Sequence, residues 1–327
     1  MNTNEKVWAM LVHLSMNMWA GRDKESLPFD DDVWTYVLEN AVKSGYNTIV
    51  LDVGDGIEFG SHQEIANKEA WSRRRARAEV KRCKQMGITL IPKLNFSACH
   101  CPWLGKYSRM VSTEEYYRVC NDLIKEVYEL FDRPEYIHIG MDEEDDEHAR
   151  SYKNGLGMFR QGELYWHDLC FLIDCVADTG AKPWLWYDPT VVNYEEYKKR
   201  IDPQDVVLSP WYYDALEEDK FVPFSEYPWD RTPYNGMNLQ YIEDIPKLKA
   251  FRENIIDRMS DGTTYIPCSW CACKDNTYNL MKYFKDRAPN DQILGHLVSV
   301  WASTEWKSKE VFDSAFDDMK KALELYK

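Results

Sequence analysis

The stretch AEVKRCKQMGITLIPKL, residues 78–94, contains the unit from which the fold can be read. Its first part belongs to a polar, helix-forming segment expected over 72–86. Gly87 stands where a left-handed residue closes such a helix. Ile88, Leu90, Ile91 and Leu94 then make a short apolar run of strand length. The same passage from helix through glycine to strand is expected at Gly45 and Gly180. Eight strands are predicted in all, over 7–14, 47–53, 88–94, 135–141, 182–187, 205–211, 264–270 and 293–301. Helices are predicted over 31–43, 72–86, 160–178, 247–259, 276–286 and 310–325. A further helix starts at a capping box, Ser112, Thr113, Glu114, Glu115. It continues as a one-sided apolar stripe of Tyr116, Cys120, Leu123, Val127 and Leu130.

Strand–helix alternation of this kind predicts an α/β fold, a (β/α)8 TIM barrel, for which roughly 250 residues is usual. The chain has 327 residues, and the surplus falls in βα loops, the longest after strands 2, 3, 4 and 6. No flexible linker, repeat or low-complexity tract interrupts it, so a single domain over 1–327 is expected.

Composition narrows the function. The net charge of −15 excludes broad nucleic-acid binding, which needs clustered Lys and Arg. The one basic run, 73–77, reads as a solvated helix face. Nine cysteines, scattered and odd in number, argue against a disulfide framework and for a reducing, cytoplasmic setting. Cys99, His100, Cys101 and Cys268, Cys271, Cys273 form two clusters, but their spacing matches no closed zinc motif. No metal and no cofactor is expected. The segment 7–20 is interrupted by His13, Ser15 and Asn17 and reads as the first strand rather than a signal sequence. No apolar run is long enough to span a membrane. The oligomeric state is left open.

The ends of the predicted strands are rich in acids and aromatic rings. Strand 1 offers Asn17 and Trp19, strand 2 Asp52 and Asp55, and strand 3 Asn95 and His100. Strand 4 runs from His138 into an unbroken acidic series that starts Asp142, Glu143, Glu144. Strand 5 offers Trp184, Trp186 and Asp188; strand 6, Trp211, Tyr212, Tyr213 and Asp214. Strand 7 brings Ser269 and Trp270, and strand 8 Trp301, Thr304 and Glu305. Polar loops explain one or two acids but not Trp at five of eight strand ends. Aromatic faces stack on sugar rings, and carboxylates handle hydroxyls and protons, so a carbohydrate substrate is expected.

The hexad His138, Ile139, Gly140, Met141, Asp142, Glu143 resembles the H-x-G-x-D-E signature of family 20 glycoside hydrolases, the β-N-acetylhexosaminidases. The stretches 78–105 and GYNTIVLDVGDGIEF (45–59) resemble that family's third- and second-strand segments. The resemblance implies that Glu143 is the general acid/base. It implies that Asp142 orients the substrate's own 2-acetamido group, which acts as nucleophile. Repulsion between adjacent acids would keep one of them protonated. Asn17, Asp52, Asp55, His100, His138, Trp186, Trp211, Tyr213, Trp270, Trp301 and Glu305 are the candidate substrate-binding residues. His138 reads equally as a buried structural histidine.

The sequence also departs from the family pattern. Asn17 stands where a sugar-gripping Arg is usual, with Arg22 the nearest basic residue. Lys93 replaces an acid after Ile-Pro, and Tyr212 or Tyr213 must serve for a tyrosine expected on strand 7. Three alternatives stay open. One is a glycosidase with a conventional carboxylate pair, Glu143 facing Asp188, Asp214 or Glu305. Another is a metal-dependent barrel enzyme using His13, His100 and His138. The third is a sugar-binding barrel without catalysis. Trp229 and Tyr234 are candidates for capping the site or for a subunit contact.

Overall fold

The computed structural model describes residues 6–18, 25–144, 159–187, 193–213, 216–217, 220–221, 262–273, 275–289 and 291–327. Six parallel strands come first: β1 (Val7–His13), β2 (Thr48–Asp52), β3 (Thr89–Lys93), β4 (Tyr136–His138), β5 (Lys182–Tyr187) and β6 (Val207–Pro210). A small antiparallel pair follows, β7 (Leu216–Glu217) and β8 (Lys220–Phe221). Then β9 (Thr264–Tyr265), β10 (Cys268–Trp270) and β11 (Gly295–Ser299) rejoin the first six. The result is a nine-stranded parallel sheet in the order β10-β11-β1-β2-β3-β4-β5-β6-β9, flanked by helices. The described helices are α1 (Asp31–Ser44), α2 (Arg73–Gln85), α3 (Glu114–Leu130), α4 (Glu163–Ala177), α5 (Tyr194–Arg200), α6 (Asn276–Arg287) and α7 (Lys309–Leu323). Within the described residues no helix is long and apolar enough to cross a membrane.

Both faces of the sheet are buried, which is why its strands read as near-continuous apolar runs. Met10, Val12, Ile49, Leu51, Ile137 and Leu185 point out and pack under the helices. Their alternates form a second core: Val7, Ala9, Leu11, Val50, Ile91, Tyr136, Trp184, Val207, Ile266 and Leu297. The sheet is therefore curled, so that this face packs on itself. Its two outermost strands, β9 and β10, lie next to each other in the chain. Tyr265 bridges to Ile293 and Trp211 to Cys268. Tyr212 N donates to Cys268 O over 3.0 Å, and Leu297 N to Pro267 O over 2.9 Å.

Helix boundaries follow local chemistry. Asp31 and Asp32 favour the positive end of α1, and Gly45 closes it at φ 89°. A Cβ at Gly45 would also stand 2.4 Å from Leu323 Cδ1 of α7. The cap of α3 is Thr113, whose hydroxyl accepts from Tyr116 N. Ser112 is not the cap: it sits at φ 63° and donates to Asp168 at 2.6 Å. Helix α5 was not expected from the sequence, although Asn193 Oδ1 caps it through Glu195 N and Glu196 N. The strand expected over 264–270 is split into β9 and β10 because Pro267 has no N–H to donate. β4 stops at His138, three residues early, since Gly140 and Met141 turn to φ 75° and 69°. The predicted helix over 247–259, and Trp19, Arg22, Asp188, Asp214, Trp229, Tyr234 and residues 145–147, lie outside the described residues.

Candidate active site

Alternation along four adjacent strands places a polar layer on the inward face, one step beyond its apolar core. His13 pairs in register with Asp52, Asp52 with Lys93, and Lys93 with His138. They continue the inward set of Leu11, Val50, Ile91 and Tyr136. All four are buried. Lys93 Nζ donates to Asp52 Oδ2, and His13 Nδ1 lies 3.6 Å from the same oxygen. Burial opposes the Asp52 charge, but Lys93 outweighs it and holds the carboxyl below its usual range. Burial pushes His13 and His138 down, so both are neutral at physiological pH. His138 Nδ1 accepts from Gly140 N over 3.1 Å, and its ring packs on Trp186 at 4.8 Å.

Beyond this layer β4 turns sharply. Gly140, Met141 and Glu143 all have φ between 55° and 75°. Gly140 has a steric reason to be glycine: a Cβ there would stand 2.0 Å from Asn95 Oδ1. The turn delivers Asp142 and Glu143 to the loop after β3. Asn95 Nδ2 donates to Asp142 Oδ1 over 2.9 Å, and Ser97 Oγ to Asp142 O over 2.5 Å. His100 Nε2 lies 2.9 Å from Glu143 Oε2 and 3.4 Å from Asp142 Oδ2. Burial works against a charged His100, but the two carboxylates prevail and hold its pKa up at about 10. Asp142 is buried too, and His100, followed by Lys93, keeps it ionised far below the usual carboxylate range.

Among the described residues, His100, Asp142 and Glu143 are the group whose ligand atoms could meet at a metal ion, all within 4.8 Å of one another. The imidazole is held as a cation, however, and must lose its proton before it can serve as a ligand. None of Cys99, Cys101, Cys268, Cys271 and Cys273 belongs to the group; all five are buried cysteines.

The aromatic candidates form one connected arc. Trp186 meets Trp211 edge-on, ring centroids 6.0 Å apart, and meets Trp301 at the same separation. Trp301 packs on His13 at 5.5 Å and donates through Nε1 to Tyr213 OH at 3.2 Å. Tyr213 packs on Trp270 at 5.8 Å. Asn17 and Asp55 form a separate group: Asn17 Nδ2 donates to Asp55 Oδ2 over 2.9 Å, and Ser15 Oγ to Asp55 Oδ1.

Two of the candidate substrate ligands are paired with lysines in the structure. Asp52 is the buried partner of Lys93, below the acid pair. Glu305 is engaged by Lys307 at 2.5 Å, and no contact joins it to Asp142 or Glu143 among the described residues. Glu144, which the acidic series left ambiguous, is buried among protein donors. It accepts from Ala98 N and Arg160 Nη1, each at 2.6 Å, and from Arg160 N at 2.8 Å. Sequence reading also missed Ser97 and Arg160. Asn95 was visible only as a polar residue at the end of strand 3.

This is a curled α/β sheet with acids, a histidine and tryptophans gathered beyond the C-terminal ends of its strands. No protein-family model and no curated protein matches the sequence. Solved structures do match the fold. The GH20 exo-β-N-acetylglucosaminidase of Vibrio harveyi, solved with N-acetylglucosamine, is 12% identical with a TM-score of 0.63, over 98% of this chain and 54% of that one. The β-hexosaminidase of Streptomyces plicatus, solved with its product GlcNAc, is 14% identical with a TM-score of 0.59, over 98% and 64%. Dispersin B is 15% identical with a TM-score of 0.58, over 98% of each chain. The chain spans less than two thirds of the first two enzymes and nearly all of Dispersin B. These likenesses establish a GH20-like fold.

Proposed function

We propose that the chain is a glycoside hydrolase that removes terminal N-acetylhexosamine by substrate-assisted, retaining hydrolysis. The catalytic unit is a single closed (β/α)8 barrel. In this reading β9 and β10 are two halves of one strand, and the bridges of Tyr265 to Ile293 and Trp211 to Cys268 complete the ring.

The observation that carries the chemistry is the meeting of His100 with Asp142 and Glu143 beyond β4. The two neighbouring carboxylates have unequal surroundings. Asp142 is buried against Asn95, His100 and Lys93 and stays an anion. That suits an acceptor for the acetamido N–H, holding the group while its carbonyl oxygen attacks the anomeric carbon. Glu143 is half-buried and hydrogen-bonded to His100. That suits the group that protonates the leaving oxygen and then takes a proton from the incoming water. Because the substrate supplies the nucleophile, no second enzyme carboxylate is required. The arc of Trp186, Trp211, Trp301, Tyr213 and Trp270 supplies apolar faces for the sugar.

A panel of aryl glycosides with and without the 2-acetamido group tests the reading. Turnover confined to N-acetylated sugars is expected. Equal turnover of plain glucosides would replace it with a conventional carboxylate pair. Sugar binding without turnover would leave a lectin-like barrel.

A further inference from the structure

Met141 and Glu143 occupy the left-handed region at φ 69° and 55°, which side chains other than glycine enter at a cost. They flank Asp142, so the turn that presents the acid pair is strained on both sides and must be held by its surroundings. Asn95 and Ser97 hold Asp142 itself. The heavier fastening is at the next residue, Glu144. Its carboxylate takes Ala98 N from the His100 loop and both the backbone and side chain of Arg160. Arg160 is fully buried and spreads its other donors widely. It reaches Phe96 O at 3.1 Å, the Tyr116 hydroxyl at 2.8 Å and Asp168 at 2.7 Å. Asp168 accepts in turn from Ser112 and Tyr117. One guanidinium therefore ties the loop carrying His100 to the turn carrying the acids, and anchors both on α3 and α4.

A buried ion pair is a poor source of net stability, because desolvation consumes most of what attraction returns. Here the pair joins the two loops whose relative placement sets the distance from His100 to Glu143. We propose that Arg160, acting through Glu144, is the positioning residue of the acid pair, clamping the turn after β4 against the His100 loop. Its kinetic consequence rests on the function proposed above; its structural consequence does not.

The test is the double variant Glu144→Gln/Arg160→Met, which removes both charges while Gln still accepts from Ala98 N. Asp168 loses its guanidinium partner but keeps the hydrogen bonds from Ser112 and Tyr117. Two readings are taken: kcat and KM on an aryl N-acetyl-β-glucosaminide, and the His100 titration by imidazole NMR, assigned with His100→Gln. Asp142 and Glu143 face His100 from the turn, and Lys93 faces Asp142 from β3, so a displaced turn frees His100 to titrate nearer its ordinary value. The folded variant is expected to lose about 100-fold in kcat, with KM within about threefold. Its His100 should titrate clearly below the parent. Parental kcat and parental His100 titration in the folded variant would overturn the proposal. If the double variant does not fold, Arg160→Lys is read in the same way. It keeps the charge and loses the fork, and it should lose roughly 10-fold in kcat with the same downward His100 shift. Unchanged values there overturn the proposal as well. Should the parent hydrolyse no N-acetylhexosaminide, the proposed function fails, and the His100 titration alone decides the clamp.

Discussion

Nε2 of His100 lies 2.9 Å from Oε2 of Glu143. That contact joins the loop after β3 to the turn after β4. The other acid, Asp142, is held by Asn95 and by the same imidazole on its buried side. Neighbours in sequence thus have different surroundings, which is the basis of the division of labour proposed for them.

On the proposed mechanism, Glu143→Gln should keep the shape and lose the proton carrier. Turnover of an aryl N-acetyl-β-glucosaminide is expected to fall about 1000-fold, within the range for loss of a general acid. The thermal midpoint should move little, because the side chain is partly open to solvent. Activity close to the parent would remove Glu143 from the mechanism.

Asp142→Asn should separate substrates. The Asn retains a carbonyl for Asn95, but it brings an amide N–H toward His100 and, on the proposed mechanism, toward the acetamido nitrogen. The kcat/KM for N-acetylated glycosides is expected to drop by about 100-fold or more. A matching drop on glycosides without the acetamido group would point instead to a general structural role.

Much of this fold was legible because each strand is short, apolar and bounded by a turn former. KPWLWY was placed to the residue as β5. The limits of legibility have local causes. The apolar alternation of β4 continues through Ile139 and Met141, both buried, although the backbone leaves the sheet at Gly140. Alternation reports burial there, and the positive φ of Met141 leaves no mark in composition. Asp142, Glu143 and His100 could be named as candidates because they follow the ends of predicted strands in the sequence. Arg160 could not, since its partner Glu144 is sixteen positions away and nothing local links them. The pairing of Asp52 was hidden for a related reason: its partner Lys93 comes from the neighbouring strand, and only the register reveals the pair.

Stability should pass through a maximum near pH 6.5, the ordinary histidine value. His100 keeps its proton in the folded state up to about pH 10, while the unfolded chain releases it near 6.5. Its contribution is therefore full below 6.5 and is lost as pH rises toward 10. His13, His138 and His296 are buried neutral and pushed down, so they act in the opposite sense. The unfolded chain takes up protons below 6.5 that these three sites refuse, and stability falls there. Asp142, depressed in the fold, adds to the acid-side loss below its ordinary 3.8. Urea unfolding from pH 5 to 10 measures the curve. In His100→Gln the alkaline decline should flatten; an unchanged alkaline limb would place its origin elsewhere.

Asp318 opposes that acid-side trend and offers a stabilising change. Burial first, and then Asp275, push its pKa to about 7. Above that pH the folded protein must hold a charge that the unfolded chain carries freely. Asp318→Asn is expected to raise stability by about 1–2 kcal/mol at pH 8 and to do less at pH 5. Denaturant midpoints at the two values check the difference, and equal shifts at both would rule out the charge as the cause.

Gly140→Ala joins the backbone to the chemistry. The position needs φ 75°, which costs a side-chain-bearing residue about 1–2 kcal/mol. The added methyl would also meet Asn95, whose Cα lies 2.9 Å from the ideal Cβ and whose amide oxygen lies closer still. Asn95 must move, and it is the donor that holds Asp142 Oδ1. The variant is expected to lose stability by at least the backbone cost. Its remaining folded fraction should be less active than the stability loss alone explains, with the deficit in kcat rather than KM. Full specific activity per folded molecule, measured against active-site titration, would show that Asp142 keeps its place without Asn95.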